Sequence, residues 1–347
     1  MITAVVMEVH DHMGSKIFKF LAKFQLVIIL TSSNALANSN ITSEFMAQVN
    51  QISERDSAID RERLKSYQIV LVPGLVTDFT QKVGKVFGWL GITSKDGFLA
   101  SFFQQSNWMH EASIYFEMAP INREGGCDEN GEVIARVIAT SAKPVILVSQ
   151  SKAGADIMHA LVHHPEIVDN IAGWVAYQPP HAGSILADIM QSETVLKYPS
   201  NLFVKTLGGT PLAFTDMTTT YRSKFNFANA DRIKALTSAF PIVTLVTTAT
   251  TVSWERYLLG RNSSFSFLAP FVGVISEHDG GSNDGIATVK GTCIRNSDCV
   301  YLTGIDHFAA VMNTSPFLGP SKVDRIALFR ALLELLLNRI ETRNRQL

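Results

Sequence analysis

The stretch Val145-Ile-Leu-Val-Ser-Gln-Ser-Lys-Ala-Gly154 constrains the fold more than any other part of the chain. Four consecutive apolar residues read as a buried strand, and the small residues after Ser151 open a helix. A strand that turns this sharply into a helix lifts the apical serine above the sheet and needs small residues two positions before and after it. Those positions hold Ser149 and Ala153, where the usual pattern has glycines. Each adds only one small substituent, so the steric requirement is kept. Ser151 is the candidate nucleophile. An ordinary serine- and glycine-containing turn has much the same composition, so other segments must decide.

The rest of the chain supplies the frame for such a turn. Short β-branched runs at 68–72, 113–117, 144–149, 172–177 and 242–247 alternate with helical stretches at 131–140 and 152–164. Strands that alternate with helices predict one α/β domain, a doubly wound, mostly parallel sheet with helices on both faces. The segment 184–239 breaks this rhythm while staying rich in Leu, Phe and Met, which predicts a helical cap insertion over the site. Ile185, Leu186, Ile189, Met190 and Leu196 are expected on its inner face. A second interruption, 250–270, carries Trp254, Tyr257, Phe265 and Phe267. An amphipathic helix is expected over 323–340.

A serine hydroxyl is a poor nucleophile at neutral pH, so it needs a base and an acid that orients the base. Gly281-Ser-Asn-Asp284-Gly is a polar turn after the apolar run Phe271-Val-Gly-Val-Ile-Ser276, and it offers Asp284 as the acid. Asp279, in Glu277-His-Asp-Gly280, is the rival carboxylate. His307, in Tyr301-Leu-Thr-Gly-Ile-Asp-His307, sits in a loop between a short strand and a long helix and is the candidate base. The order Ser151, Asp284, His307 is that of one known class of serine triads and not of the chymotrypsin or subtilisin arrangements. A developing oxyanion also needs preplaced N–H donors. The strand ending Val72-Pro-Gly-Leu75 offers the amide of Leu75, and the residue after the nucleophile offers that of Lys152.

These residues resemble the secreted bacterial triacylglycerol lipases of the α/β-hydrolase superfamily. The likeness runs in scattered motifs from about Tyr67 to Ala310. Val72-Pro-Gly-Leu75 stands where the family has His-Gly and an apolar residue, with Pro73 as a departure. Ser149-Gln-Ser-Lys-Ala-Gly154 is similar to Gly-His-Ser-x-Gly-Gly. Gln178-Pro-Pro-His-Ala-Gly-Ser184 resembles the family's Thr-Pro-His-x-Gly-Ser loop, in which the histidine, here His181, is structural. Asp284-Gly and Gly304-Ile-Asp-His307 complete the match, with a weaker echo in Asp216-Met-Thr-Thr-Thr and Phe225-Asn226. The resemblance implies an α/β-hydrolase fold and a serine hydrolase of carboxylic esters, acting through an acyl-enzyme on small-molecule or lipid esters, with contact to a lipid interface. Two alternatives stay open: another acyl substrate, such as a polyester or an amide, and a non-catalytic binding protein on the same fold.

Formal net charge is −1 and no basic stripe occurs, so nothing points to a nucleic-acid partner. No cofactor is expected. No Cys/His spacing suggests zinc, and no metal ligands are assigned. Lys16, Lys19 and Lys23 precede the apolar run Phe24-Gln-Leu-Val-Ile-Ile-Leu30, and Ala35-Leu-Ala37 follows. This is the pattern of a secretory leader over residues 1–37, with Met13 as an alternative start, and it leaves 38–347 as one domain in a secreted or periplasmic protein. Cys293 and Cys299 bracket a polar loop between the acid and the base, and a disulfide between them would hold that segment. A bridge from Cys127 to either is the alternative.

Overall fold

The computed structural model describes residues 38–52, 55–75, 100–191, 211–249, 269–279, 281–312 and 323–346. The leader, Leu196 and the aromatics of 250–268 therefore lie outside the described residues. The described elements run β1 (Ser39–Asn40), α1 (Thr42–Ile52), α2 (Ser57–Leu64), β2 (Gln68–Val72), α3 (Phe103–Glu111), β3 (Phe116–Met118), α4 (Cys127–Ala139), β4 (Val145–Gln150) and α5 (Ala153–His163). A 3₁₀ turn (Pro165–Asn170), β5 (Ile171–Tyr177), α6 (Ile185–Gln191), α7 (Pro211–Thr215), α8 (Thr219–Ala228), α9 (Ala230–Ser238) and β6 (Ile242–Thr248) follow. The chain then gives α10 (Ala269–Asp279), α11 (Val289–Thr292), β7 (Asp298–Thr303) and α12 (Arg325–Asn344).

One seven-stranded sheet, ordered β1-β7-β6-β5-β4-β2-β3, carries the fold, and every pairing in it is parallel. Parallel strands must be joined by crossovers, which here cover both faces. The two-residue period of a strand then divides the core. In β4, Ile146 and Val148 point to a layer built by α1, α2, α3 and α12, whereas Val145 and Leu147 point to one built by α4, α5 and α9. β4 is central and buried at all six positions. That explains why the segment reads as a continuous apolar run.

The apolar run 271–276, to which the sequence assigns no element, is helical, part of α10; a short apolar stretch fits a buried strand and a buried helix equally well. The strand leading to the acid turn is β6, and Ala249 N–H donates to Asn283 C=O (2.9 Å), which returns that turn to the β6 carboxyl end. The run 113–117 yields only the short β3, since Ser113 takes a left-handed φ of 56° that strand geometry forbids. Finally, α12 is buried around most of its circumference and not along one stripe, since α1 to α3 cover the side away from the sheet. Its Arg330 and Glu334 survive there by pairing with Asp60 and with Arg55 and Arg63.

The irregular segment after β5 is helical where it is described. Ile185, Leu186 and Met190 of α6 pack with Phe271, Ile275 and Phe308. Ile189 lines an open cleft of about 650 Å³ together with Ile185, Asp188 and Thr219. By contrast, α9 sends Ile233 and Leu236 into the core beside α5. The end of the insertion thus completes the ordinary helix layer. No helix among the described residues is long and apolar enough to cross a membrane.

Candidate active site

Ser151 stands between β4 and α5 with φ of +58°, a left-handed conformation that costs a non-glycine residue about 1–3 kcal/mol. The turn is held in that state from several sides. Its N–H donates to Tyr177 C=O (2.9 Å), tying the elbow to the end of β5. Trp174 Nε1–H donates to Ser149 Oγ (2.8 Å), so the hydroxyl at a position where glycine is usual is put to use. A Cβ on Gly154 would lie 2.5 Å from Pro179 Cβ, so only glycine lets α5 pass this close to the 179–183 loop. A Cβ on Gly74 would lie 2.5 Å from Gln150 C=O and 2.8 Å from Ser151 Cβ. The turn after β2 therefore runs directly against the elbow, and Leu75 is the next residue. Neither the Leu75 nor the Lys152 amide donates to a backbone carbonyl among the described residues. Lys152 also begins the run into α5, whose helix dipole directs partial positive charge at this end.

Behind the serine, His307 Nε2 lies 2.7 Å from Ser151 Oγ, and His307 Nδ1 lies 2.8 Å from Asp284 Oδ2. An ionised carboxylate only accepts, so Nδ1 carries the ring proton and Nε2 is left to accept from the serine hydroxyl. Asp284 Oδ1 accepts from the amides of Ile286 (3.0 Å) and Ala287 (2.8 Å), which fixes the carboxylate plane. The two loops are also joined directly, because His307 N–H donates to Asp284 C=O (3.0 Å). His307 is 0% exposed, Asp284 1% and Ser151 7%, so the chain of contacts is screened from water with the serine at its outer end. The rival Asp279 ends α10, and its side chain lies outside the described residues.

Two glutamines that no sequence motif singles out hold this frame. Gln150 Nε2–H donates to His307 C=O (3.3 Å), and Gln178 Nε2–H donates to Asp306 C=O (3.1 Å) and to Thr247 Oγ1 (2.5 Å). Each stands at the carboxyl end of a central strand, β4 or just past β5, a position legible in the sequence; the loop it would reach is not. Asn283 is a third such residue: its Nδ2–H donates to Val272 C=O (3.1 Å) and Ser276 Oγ (3.0 Å), pinning the acid turn to α10. His181 lies apart from Ser151 and His307 in its contacts. Its C=O accepts from Asn226 Nδ2–H (2.9 Å) and Arg222 Nε–H (3.4 Å), and burial together with Arg222 pushes its imidazole down to about 3.

The Lys152 side chain turns away from the site into a buried pair, with Nζ 2.5 Å from Asp156 Oδ1. Burial pulls the ammonium down, and Asp156 with its neighbours more than offsets this, so its pKa stands above the ordinary lysine value. Asn130 Nδ2–H donates to the other Asp156 oxygen (3.0 Å). Removing one member of a buried pair strands the other charge, which costs about 3–5 kcal/mol. We expect Lys152→Met to lose stability on that scale in urea unfolding and Lys152→Met/Asp156→Leu to recover most of it. Cys293 and Cys299 form a disulfide (Cα–Cα 6.2 Å) in the segment between acid and base. The remaining alternative is overturned: Cys127 is free, and it lies buried at the start of α4 and not in an exposed loop, with burial pushing its thiol well up.

No family model matches the sequence, and no curated protein does. Solved structures do. A metagenomic carboxyl esterase superposes with a TM-score of 0.56 at 19% identity, covering 80% of this chain and 76% of its own. The mature form of a Bacillus licheniformis lipase superposes with a TM-score of 0.52 at 20% identity, covering 78% of this chain and 91% of its own. With the parallel sheet, the elbow after a central strand and the two loops that converge on it, this chain has the α/β-hydrolase fold.

Proposed function

We propose that this protein is a serine hydrolase of carboxylic esters, in which Ser151 is the nucleophile, His307 the base and Asp284 the acid that orients it. The observation that carries the reading is the unbroken run of contacts from Asp284 Oδ2 through both ring nitrogens of His307 to Ser151 Oγ, at 2.8 and 2.7 Å. His307 Nε2 takes the proton as Ser151 Oγ attacks the ester carbonyl, and Asp284 stabilises the imidazolium that forms. The amides of Leu75 and Lys152 hold the oxyanion. His307 then delivers the proton to the leaving alcohol. A water activated by the same ring hydrolyses the acyl-enzyme and returns the serine. Two structural neighbours described as a carboxyl esterase and a lipase support an ester as the substrate class.

The apolar side of α6, with Ile185, Leu186 and Met190 against Phe308 beside the base, supports an acyl group or a lipid surface as what meets this end of the sheet. Residues 184–239 act in this reading as a cap whose far end doubles as core. The lysine-rich apolar leader and the Cys293–Cys299 bridge support export to an oxidising compartment.

A fluorophosphonate probe tests the reading directly, because it phosphonylates only a serine whose proton has a base to go to. Stoichiometric labelling at Ser151, competed by p-nitrophenyl esters, is expected. Absence of labelling in folded protein would leave a binding protein on a hydrolase frame. A panel of esters of graded acyl length, run beside an amide and a polyester, then ranks the substrates.

A further inference from the structure

We infer that Asp128, His159 and His163 form a binding site for a divalent transition-metal ion of the zinc class, bridging α4 and α5. His159 and His163 are one helical turn apart on α5, the spacing that puts two imidazoles on one face to share an ion. Asp128 faces them from the first turn of α4. Its Oδ1 lies 2.7 Å from His159 Nδ1 and 3.7 Å from His163 Nε2, and one ligand atom from each of the three falls within 4.8 Å of the others. Tetrahedral zinc, with bonds of about 2.0–2.1 Å, needs ligand atoms roughly 3.3 Å apart. The observed separations bracket that value.

The three residues are unequally free, which suits capture of an ion. His159 is 1% exposed and stacked on Phe225, with ring centroids 4.0 Å apart and 8° between planes, so one ligand is preset. His163 and Asp128 are mostly exposed and can close on it. A cleft of about 100 Å³ opens at this point, lined by the three ligands with Gly131, Glu132 and His164. A water can complete four-coordination.

His159 would bind through Nδ1, the nitrogen 2.7 Å from Asp128 Oδ1, since its Nε2 is buried without a hydrogen-bond partner among the described residues. Arg222 opposes a cation here, since its guanidinium lies 4.8 Å from the Phe225 ring, while Asp128 and Glu132 supply opposing charge. Two imidazoles and a carboxylate favour zinc over calcium, which prefers an all-oxygen shell. The site lies two turns along the helix that begins at the Ser151 elbow, so the ion would clamp that helix to its neighbour. It is independent of the catalytic reading.

Isothermal titration of chelator-treated protein with zinc chloride should give one saturable site per chain, and zinc should raise Tm reversibly, with EDTA removing the rise. His163→Ala and Asp128→Asn change exposed side chains and should leave the metal-free Tm in place, while each weakens zinc binding by at least about tenfold and removes the zinc-dependent rise. Calcium should produce neither the saturable heat nor the rise. The inference is overturned if no saturable site is found, if zinc binds equally well to both variants, or if calcium substitutes for zinc. Ester turnover enters none of these readouts, so the result stands whatever the fate of Ser151.

Discussion

Ser151→Ala is expected to lower ester turnover by about 10⁶-fold, the scale on which serine proteases respond to loss of the nucleophile. The size follows from the contacts. With Oγ gone, His307 Nε2 has no proton to accept, and the held imidazole and oxyanion amides are left to assist water alone. The fold should hardly respond. Losing one hydroxyl opens no cavity, and alanine tolerates φ of +58° as poorly as serine does, so the existing strain is unchanged. Ser151→Gly is the informative companion. Glycine takes a left-handed φ without penalty, so this variant should be equally inactive and more stable by about 1 kcal/mol, seen as a raised Tm. A dead Ser151→Gly that is also more stable would identify the strained elbow as a cost carried for chemistry. Turnover retained in either variant would sink the role given to Ser151.

What the sequence made legible were features written into short windows. The elbow could be read from β4 because a doubly buried central strand is continuously apolar and the helix that follows must begin with small residues. Chain order then suggested the acid and the base, since each lies at the carboxyl end of a strand. Features that depend on what another segment brings were hidden. Ser149 departs from glycine, and nothing near it says that Trp174, on the neighbouring strand, donates to its hydroxyl. The run at 271–276 shows neither period clearly, so its element could not be read, and the long stretch between β6 and the acid turn hid which strand that turn belonged to. Two histidines one turn apart did not by themselves suggest zinc, because Asp128 joins His159 and His163 only through the packing of α4 on α5.

Asp284→Asn should reduce turnover by roughly 10⁴-fold, the scale known for the equivalent change in a serine protease triad, while leaving Tm close to that of the parent. The backbone contacts decide how the amide will sit. Ile286 and Ala287 N–H both donate to Oδ1, so the asparagine carbonyl must take that place and its NH₂ must face His307. Two donors would then meet at Nδ1, and the ring escapes by moving its proton to Nε2. That tautomer donates toward Ser151 and cannot accept its proton, so the base is present, in place and in the wrong form. Alanine at 284 would open space and release the loop, which makes it the poorer test. Asp279→Asn is the control, because Asp279 ends α10 and the 283–287 turn already provides the carboxylate that His307 contacts. It should turn over like the parent. Measured as kcat on a soluble ester with folding checked by Tm, the two variants rank the carboxylates. A large loss in Asp279→Asn with a mild one in Asp284→Asn would mean that in the working enzyme the imidazole leans on the helix end and not on the turn.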